Sequence, residues 1–303
     1  MIFILAGALL IDLILGEFPN KFHPVVWMGS YIKFLWKKRI TRSVTLLFVW
    51  GVLIIISGIG IFGVLPYWIL KLIPGIFSFI ISILMFTAVF SIKSLIKAGL
   101  EVKKALSEGN IEKARELTAW NLVSRDMSQM HEDDVVSAVI ESLAENITDS
   151  FSSPLFYFTL GGIPAAWAYR FVNTSDSLIA YRKSDYEWGG KFTAWSDSLL
   201  NWIPSRITGV IICISALILR KNWKNSFKVM VSQHGNTSSP NAGWTMAAMA
   251  GALNIRLEKK GEYILNGGNK NLEYQLIDGA VNIVITSICI TLFFIILLLE
   301  VIY

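Results

Sequence analysis

Between His131 and Asp149 the chain contains neither glycine nor proline, and its carboxylates recur at helical spacing. At about 100° per residue, Asp134, Glu141, Glu145 and Asp149 share one narrow stripe, with Val136, Val139, Ile140, Leu143 and Ile147 opposite. Carboxylates at i, i+4 and i+8 repel one another unless a cation stands between them. Hard oxygen ligands with few protein contacts suit a magnesium ion that also holds substrate phosphates. The spacing therefore predicts Glu141, Glu145 and Asp149 as a metal site. The plainer alternative is a solvated acidic face on a surface helix.

Downstream, Arg170 and Arg182 bracket Asn173, Thr174, Asp176 and Ser177, and Asp197, Asn201 and Arg206 repeat the pattern of acid, amide and arginine. Arginine forks grip phosphate or carboxylate through two parallel hydrogen bonds. Anchoring at a membrane edge would explain one arginine but not the polar cluster between two. The run from Ser238 to Leu253 reads as a capped helix start whose Gly243, Ala247 and Gly251 form a small-residue packing face. Its first amides could also hold an anion. His23 lies in a compact His23–Gly29 loop with no partner at a recognisable spacing. Neither a Gly-x4-Gly-Lys-Ser/Thr loop nor a Gly-x-Gly-x-x-Gly fingerprint occurs, so no motif declares nucleotide use. Cys213 and Cys289 have no partner at ligand or disulfide spacing.

Apolar helices must position these segments. Hydrophobic residues make up 54% of the chain and charged ones 16%, against roughly 25% charged in soluble domains. The expected fold is all-α: one multi-pass helical membrane domain over residues 1–303, with a polar helical region facing the cytoplasm. Val281–Leu299 is uncharged for nineteen residues, close to the roughly 20 that cross a hydrocarbon core. Spans are expected near 44–65, 72–92 and 281–299, the first two forming a hairpin turned by Pro66 and Pro74-Gly75. The first eleven residues suit a short embedded helix better than a signal peptide, which would begin with basic residues. The apolar stretches 151–169, broken by Pro154, Gly161-Gly162 and Pro164, and 207–219, of only thirteen residues, read as re-entrant or interfacial. Of 27 Lys and Arg, 25 fall in the polar segments 17–43, 91–150, 170–206 and 220–260, which places those segments on the cytoplasmic side. The net charge of +5 thus follows membrane sidedness, and no nucleic-acid partner is expected. Trp167, Trp188, Trp195, Trp202 and Trp244 suit an interfacial belt.

Taken in order, these residues resemble a known family. Asp12 with Gly16, the His23-Pro24-Val25…Trp27-Met28-Gly29 loop, Ser124-Arg125-Asp126, Glu141-Ser-Leu-Ala-Glu-Asn146 with Asp149, Tyr169-Arg170…Asn173-Thr174…Asp176…Tyr181-Arg182, Asn201…Ile203-Pro204…Arg206 and Ser239-Pro-Asn-Ala-Gly243 together resemble the CobD/CbiB family of cobalamin biosynthesis.

The resemblance implies an adenosylcobinamide-phosphate synthase, a cell-membrane ligase. It would join adenosylcobyric acid to (R)-1-amino-2-propanol O-phosphate, or to free aminopropanol, using ATP and magnesium. It further implies Glu141, Glu145, Asn146, Asp149 and Asp176 as catalytic residues. His23, Arg125, Asp126, Arg170, Asn173, Thr174, Tyr181, Arg182, Asp197, Asn201, Arg206, Ser239 and Asn241 would bind substrate. Other membrane enzymes of the corrinoid pathway are candidate partners. The chain departs from the family pattern at Asp197-Ser198, where paired acids are usual, at Met127 and at Leu257-Glu-Lys-Lys-Gly261. Two other classes compete: a cation-coupled transporter, which would put acids inside long spans, and a magnesium-dependent membrane transferase, whose usual paired-Asp motif is missing.

Overall fold

The computed structural model describes residues 1–39, 43–123, 126–180 and 187–302. In chain order its helices are α1 (Ile2–Leu15), α2 (Pro24–Lys37), α3 (Val44–Ile59), α4 (Leu65–Leu72), α5 (Gly75–Thr87), α6 (Lys93–Ser107), α7 (Ile111–Asn121), α8 (Glu132–Ile147), α9 (Ser153–Ile179), α10 (Glu187–Leu200), α11 (Trp202–Ile218), α12 (Trp223–Gln233), α13 (Ala242–Leu253) and α14 (Leu276–Ile302). One antiparallel hairpin, β1 (Arg256–Lys259) and β2 (Tyr263–Asn266), pairs Arg256 with Asn266 and Lys259 with Tyr263. The protein is an all-α membrane protein carrying this small hairpin, which the helical reading of the sequence did not include.

Among the described residues, two helices are long and apolar enough to cross a bilayer: 29 residues over Val44–Leu72 and 27 over Leu276–Ile302. At about 1.5 Å per residue both exceed a hydrocarbon core of roughly 30 Å. α10 and α11 meet the same criterion only when taken together as one span. α1 and α5, with 14 and 13 residues, are apolar but too short for a straight crossing.

The expected hairpin is redrawn. Pro66 does not turn the chain, because it falls in the first turn of α4 directly after a π turn over Gly60–Val64. A proline there lacks only an N–H that the helix start can spare, and the wider turn eases its ring clash. The reversal comes at Ile73–Pro74, and the apolar stretch 72–92 yields only α5, which ends at Thr87; beyond it Ser91 donates to Glu17 Oε1 at 2.6 Å.

Contacts divide the chain into two compact units, Met1–Ser91 with Ser153–Asn201 and Ile295–Tyr303, and Ile92–Ser152 with Trp202–Phe294. Each is assembled from separate stretches, so no linker composition marks a boundary. In the first unit α3 packs on α10 and α9, α2 on α9, and α1 on α5. The α3–α10 approach is backbone to backbone: a Cβ on Gly51 would strike the Gly189 carbonyl. Gly51→Leu is therefore expected to destabilise this unit by about 1–3 kcal/mol through overpacking, read as a lower unfolding midpoint in detergent. α9 breaks at Gly161 and Gly162, the latter at φ 65, where the sequence anticipates an interruption. Its second half, through Ile179, carries the polar residues discussed below.

In the second unit α13 is buried along its length and packs on α8, α11 and α12. The face of Gly243 and Gly251 does the work expected of small residues. A Cβ on Gly251 would meet the α12 backbone at Asn225 and Ser226, and one on Gly243 the His234 carbonyl. α8 starts on a capping box between His131 and Asp134, with Glu132, Asp133 and Asp134 in its first turn, where carboxylates favour the positive end of the helix dipole. From Val135 to Ala144 every residue of α8 is buried. α11 and α14 are tied by a Ser215–Ser287 hydroxyl bond of 2.8 Å.

Candidate functional site

The expected site residues fall into separate groups on the two units. On the first, α9 and α10 build one connected network. Asn201, buried directly after α10, accepts from Ser153 Oγ at 2.6 Å and from Tyr169 Oη at 3.0 Å through Oδ1. Its Nδ2 donates to Asp197 Oδ2 at 3.1 Å, and Asn173 Nδ2 donates to Asp197 Oδ1 at 3.2 Å. Arg170 Nη1 in turn donates to Asn173 Oδ1 at 3.3 Å. Each oxygen of Asp197 is thus held by an amide, and the arginine is oriented through one of them.

Helical spacing explains the grouping, since Arg170, Asn173 and Asp176 stand three apart on α9 and share a face. Thr174 points its hydroxyl at the Arg170 carbonyl of its own helix, at 2.7 Å, and has no bond into the network. His23 caps α2, its Nδ1 accepting from Val25 N at 3.2 Å. Burial pushes the His23 pKa down, Glu17 pulls it up, and Arg170 adds to the lowering, so the ring feels the network's charge. Tyr169 and Ser153 were not among the expected residues; only their buried contacts reveal them.

On the second unit the acidic stripe takes a different form. Glu141 is 5% exposed, and its Oε1 and Oε2 accept from Ser137 Oγ at 2.7 Å and Tyr263 Oη at 2.9 Å. Glu145 is exposed, and Asp149 lies in a π segment over Thr148–Ser152, where the strict α spacing lapses. Among the described residues, no group of three or more His, Cys, Asp or Glu side chains could hold a metal ion. The expected three-carboxylate site at Glu141, Glu145 and Asp149 is therefore not formed. The reason is packing: α13, α6, α7 and β1 cover α8, so a residue on the acidic stripe turns inward to hydroxyl partners. A solvated acidic face fails for Glu141 on the same ground. Asn146 caps back on its own helix, donating to Ser142 O at 3.0 Å and Ser142 Oγ at 2.9 Å.

β1 docks on the start of α8. The Glu258 amide donates to Ser137 Oγ at 3.3 Å, and Lys260 Nζ reaches Asp134 Oδ2 at 2.9 Å. Burial raises the Asp134 pKa, but the bonds from Lys260 and the His131 amide outweigh it and leave it lowered. A depressed carboxylate contributes stability above its unfolded pKa and loses it as pH falls through the folded value. Lys260→Ala is thus expected to cost under about 1 kcal/mol near neutrality, since the lysine is largely exposed. The difference from wild type should fade on acidification below about pH 4, as thermal unfolding across pH would record.

Arg206 forms a third group. Its guanidinium stacks over Trp202 at 4.2 Å and Trp244 at 4.9 Å, and Trp244 stacks on His234 at 3.9 Å. Arg206 Nη1 donates to Trp202 O at 2.6 Å and to Asn241 Oδ1 at 3.3 Å, beside Ser205 Oγ, which also reaches Asn241. Ser239 Oγ accepts from the Asn241 and Ala242 amides at 3.3 Å each, so the expected start of α13 is used by its own serine. Asp126 is exposed and turns its Oδ1 onto the Ser128 amide at 2.9 Å, which lowers its pKa. Arg125, Tyr181 and Arg182 lie outside the described residues.

With this geometry in view, the comparisons are specific. The family model described as CobD/Cbib protein matches residues 5–297. A probable cobalamin biosynthesis protein CobD of Methanothermobacter thermautotrophicus is 40% identical over 290 residues, covering 96% of this chain and 94% of its own. The cobalamin biosynthesis protein CobD of Dehalococcoides mccartyi is 38% identical, with the same coverage of 96% and 94%. A probable CobD of Methanocaldococcus jannaschii is 36% identical over 90% of this chain and 91% of its own. No solved structure gives a significant match.

Proposed function

Because the chain belongs to the CobD/CbiB family, we propose that it is the cobalamin-biosynthesis ligase that joins adenosylcobyric acid to (R)-1-amino-2-propanol O-phosphate. The observation that carries this reading beyond the relatives' names is the Arg170–Asn173–Asp197–Asn201 network. A ligand carboxylate or phosphate needs a planar fork held in one orientation, and a chain of amides ending on a carboxylate holds Arg170 so. Asp176, one turn beyond Asn173, is placed to accept the proton that the attacking ammonium must lose before it can form an amide. Arg206, flattened between two indoles, offers a second fork on the other unit.

Activation of the carboxylate falls to ATP as co-substrate, with magnesium accompanying its phosphates. Since the three carboxylates do not form one metal site, no step is assigned to the ion. The enzyme is placed in the cell membrane as a multi-pass protein, with its reaction on the cytoplasmic side. That placement is supported by the apolar helices and by the confinement of 25 of 27 Lys and Arg to polar segments. Expression in a cobalamin-producing host deleted for its own amide-forming step tests the assignment. Restored adenosylcobinamide phosphate supports it, and uptake of labelled substrate without product would favour a transporter instead.

A further inference from the structure

The second unit also holds a cleft of about 630 Å³ whose residues have no part in the groups above. Arg220, Lys221 and Lys270 line it together with the amides of Asn222, Asn254 and Asn271. Its volume falls in the range of small-ligand sites, roughly 300–1,000 Å³. The cleft lies where apolar helices end: Arg220 and Lys221 follow α11, and Leu276 opens α14.

Charge decides what such a cleft takes. Two carboxylates share its wall, but Asp278 already pairs with Lys103 Nζ at 2.7 Å. Among the described residues no ion pair neutralises Arg220, Lys221 or Lys270. That leaves three cations against Glu273. Like charges gathered in one cleft focus a positive potential and draw in an anion. The polar wall is itself braced: Asn222 Nδ2 donates to Asn254 Oδ1 at 2.7 Å, and Asn225 Nδ2 reaches the same oxygen at 3.3 Å and the Gly267 carbonyl at 2.6 Å. An arginine fork, two ammonium groups and side-chain amides make the donor set of a phosphate site. Basic pockets at the ends of membrane helices take lipid head groups by the same chemistry.

We propose that this cleft binds a phosphate group through Arg220, Lys221 and Lys270, carried either by a water-soluble ligand or by an anionic lipid. The proposal does not depend on the amide-forming reaction. The test uses the full-length protein in neutral detergent, with labelled pyrophosphate in equilibrium dialysis and phosphatidylglycerol retention by native mass spectrometry. Wild type should bind at least one probe saturably and lose it as salt rises. R220Q/K221Q/K270Q should weaken that binding by roughly a hundredfold and K270Q alone by about fivefold.

Lys224 is basic and near in sequence but outside the cleft, so K224Q should bind as wild type does. Pyrophosphate binding alone identifies a soluble ligand, and lipid retention that pyrophosphate does not displace identifies a head group. Either supports the proposal. Absence of saturable binding to both probes, equal binding by K270Q and wild type, or equal losses in K224Q and K270Q would overturn it. Thermal unfolding of each variant separates lost binding from lost fold.

Discussion

Arg170→Lys is expected to lower kcat/KM for amide formation by about 2–5 kcal/mol of transition-state stabilisation, roughly thirtyfold to several thousandfold. The lysine keeps the charge but cannot present two parallel N–H groups, nor reach Asn173 while doing so. Asn173 would then lose the donor to its Oδ1, slackening the chain that ends on Asp197. Thr174→Val, one turn away on the same helix, removes only a hydroxyl bonded to the Arg170 carbonyl and should change kcat/KM less than about threefold. The two variants share a helix and a depth, so a general perturbation of α9 would affect both. Similar kinetics for Arg170→Lys and wild type would reduce the arginine to an anchor.

Glu141→Ala is expected to destabilise the second unit by about 3–5 kcal/mol. The buried Ser137 Oγ and the half-buried Tyr263 Oη lose this acceptor, at roughly 1–3 kcal/mol each, the tyrosine at the low end, and a cavity is added. Glu141→Gln keeps the volume and one oxygen, so about half that loss is expected. Tyr263→Phe should couple to it: in a double-mutant cycle the pair should show an interaction of about 0.5–3 kcal/mol. Because both oxygens of Glu141 face hydroxyls, Glu141→Gln should leave the magnesium needed for half activity where it is in wild type. A shifted magnesium titration in a folded Glu141→Gln protein would restore Glu141 as a ligand. Additive effects in the cycle would contradict the Tyr263 contact.

The apolar helices were legible in the sequence because length and absence of charge are local properties, and both Val44–Leu72 and Leu276–Ile302 lie where uncharged runs stand. The break at Gly161-Gly162 was legible because adjacent glycines are themselves a local interruption signal. Pro66 misled because a proline signals a turn only if the helix cannot absorb it, and the preceding π turn does. The acidic stripe of α8 was read correctly as a helix, but its three carboxylates do not gather into one group. Helical spacing tells which residues share a side, but not which neighbours cover that side. One partner of Glu141, Tyr263, lies 122 residues away on a strand, and no periodicity connects the two. The polar network on α9 was half visible, since Arg170, Asn173, Asp197 and Asn201 stood out as a pattern. Tyr169 stood in a family motif but carried no assigned role, and Ser153 had nothing to mark it until folding brought both to Asn201.

The most direct measurement offers purified protein adenosylcobyric acid, (R)-1-amino-2-propanol O-phosphate, ATP and magnesium, and follows products by mass spectrometry. Beside wild type, the same mixture is run with Arg170→Lys and with each substrate omitted in turn. The expected result is adenosylcobinamide phosphate formed in step with ATP cleavage, requiring every component and strongly reduced in the variant. A folded, membrane-extracted wild type that cleaves no ATP and forms no amide from the complete mixture would contradict the assignment.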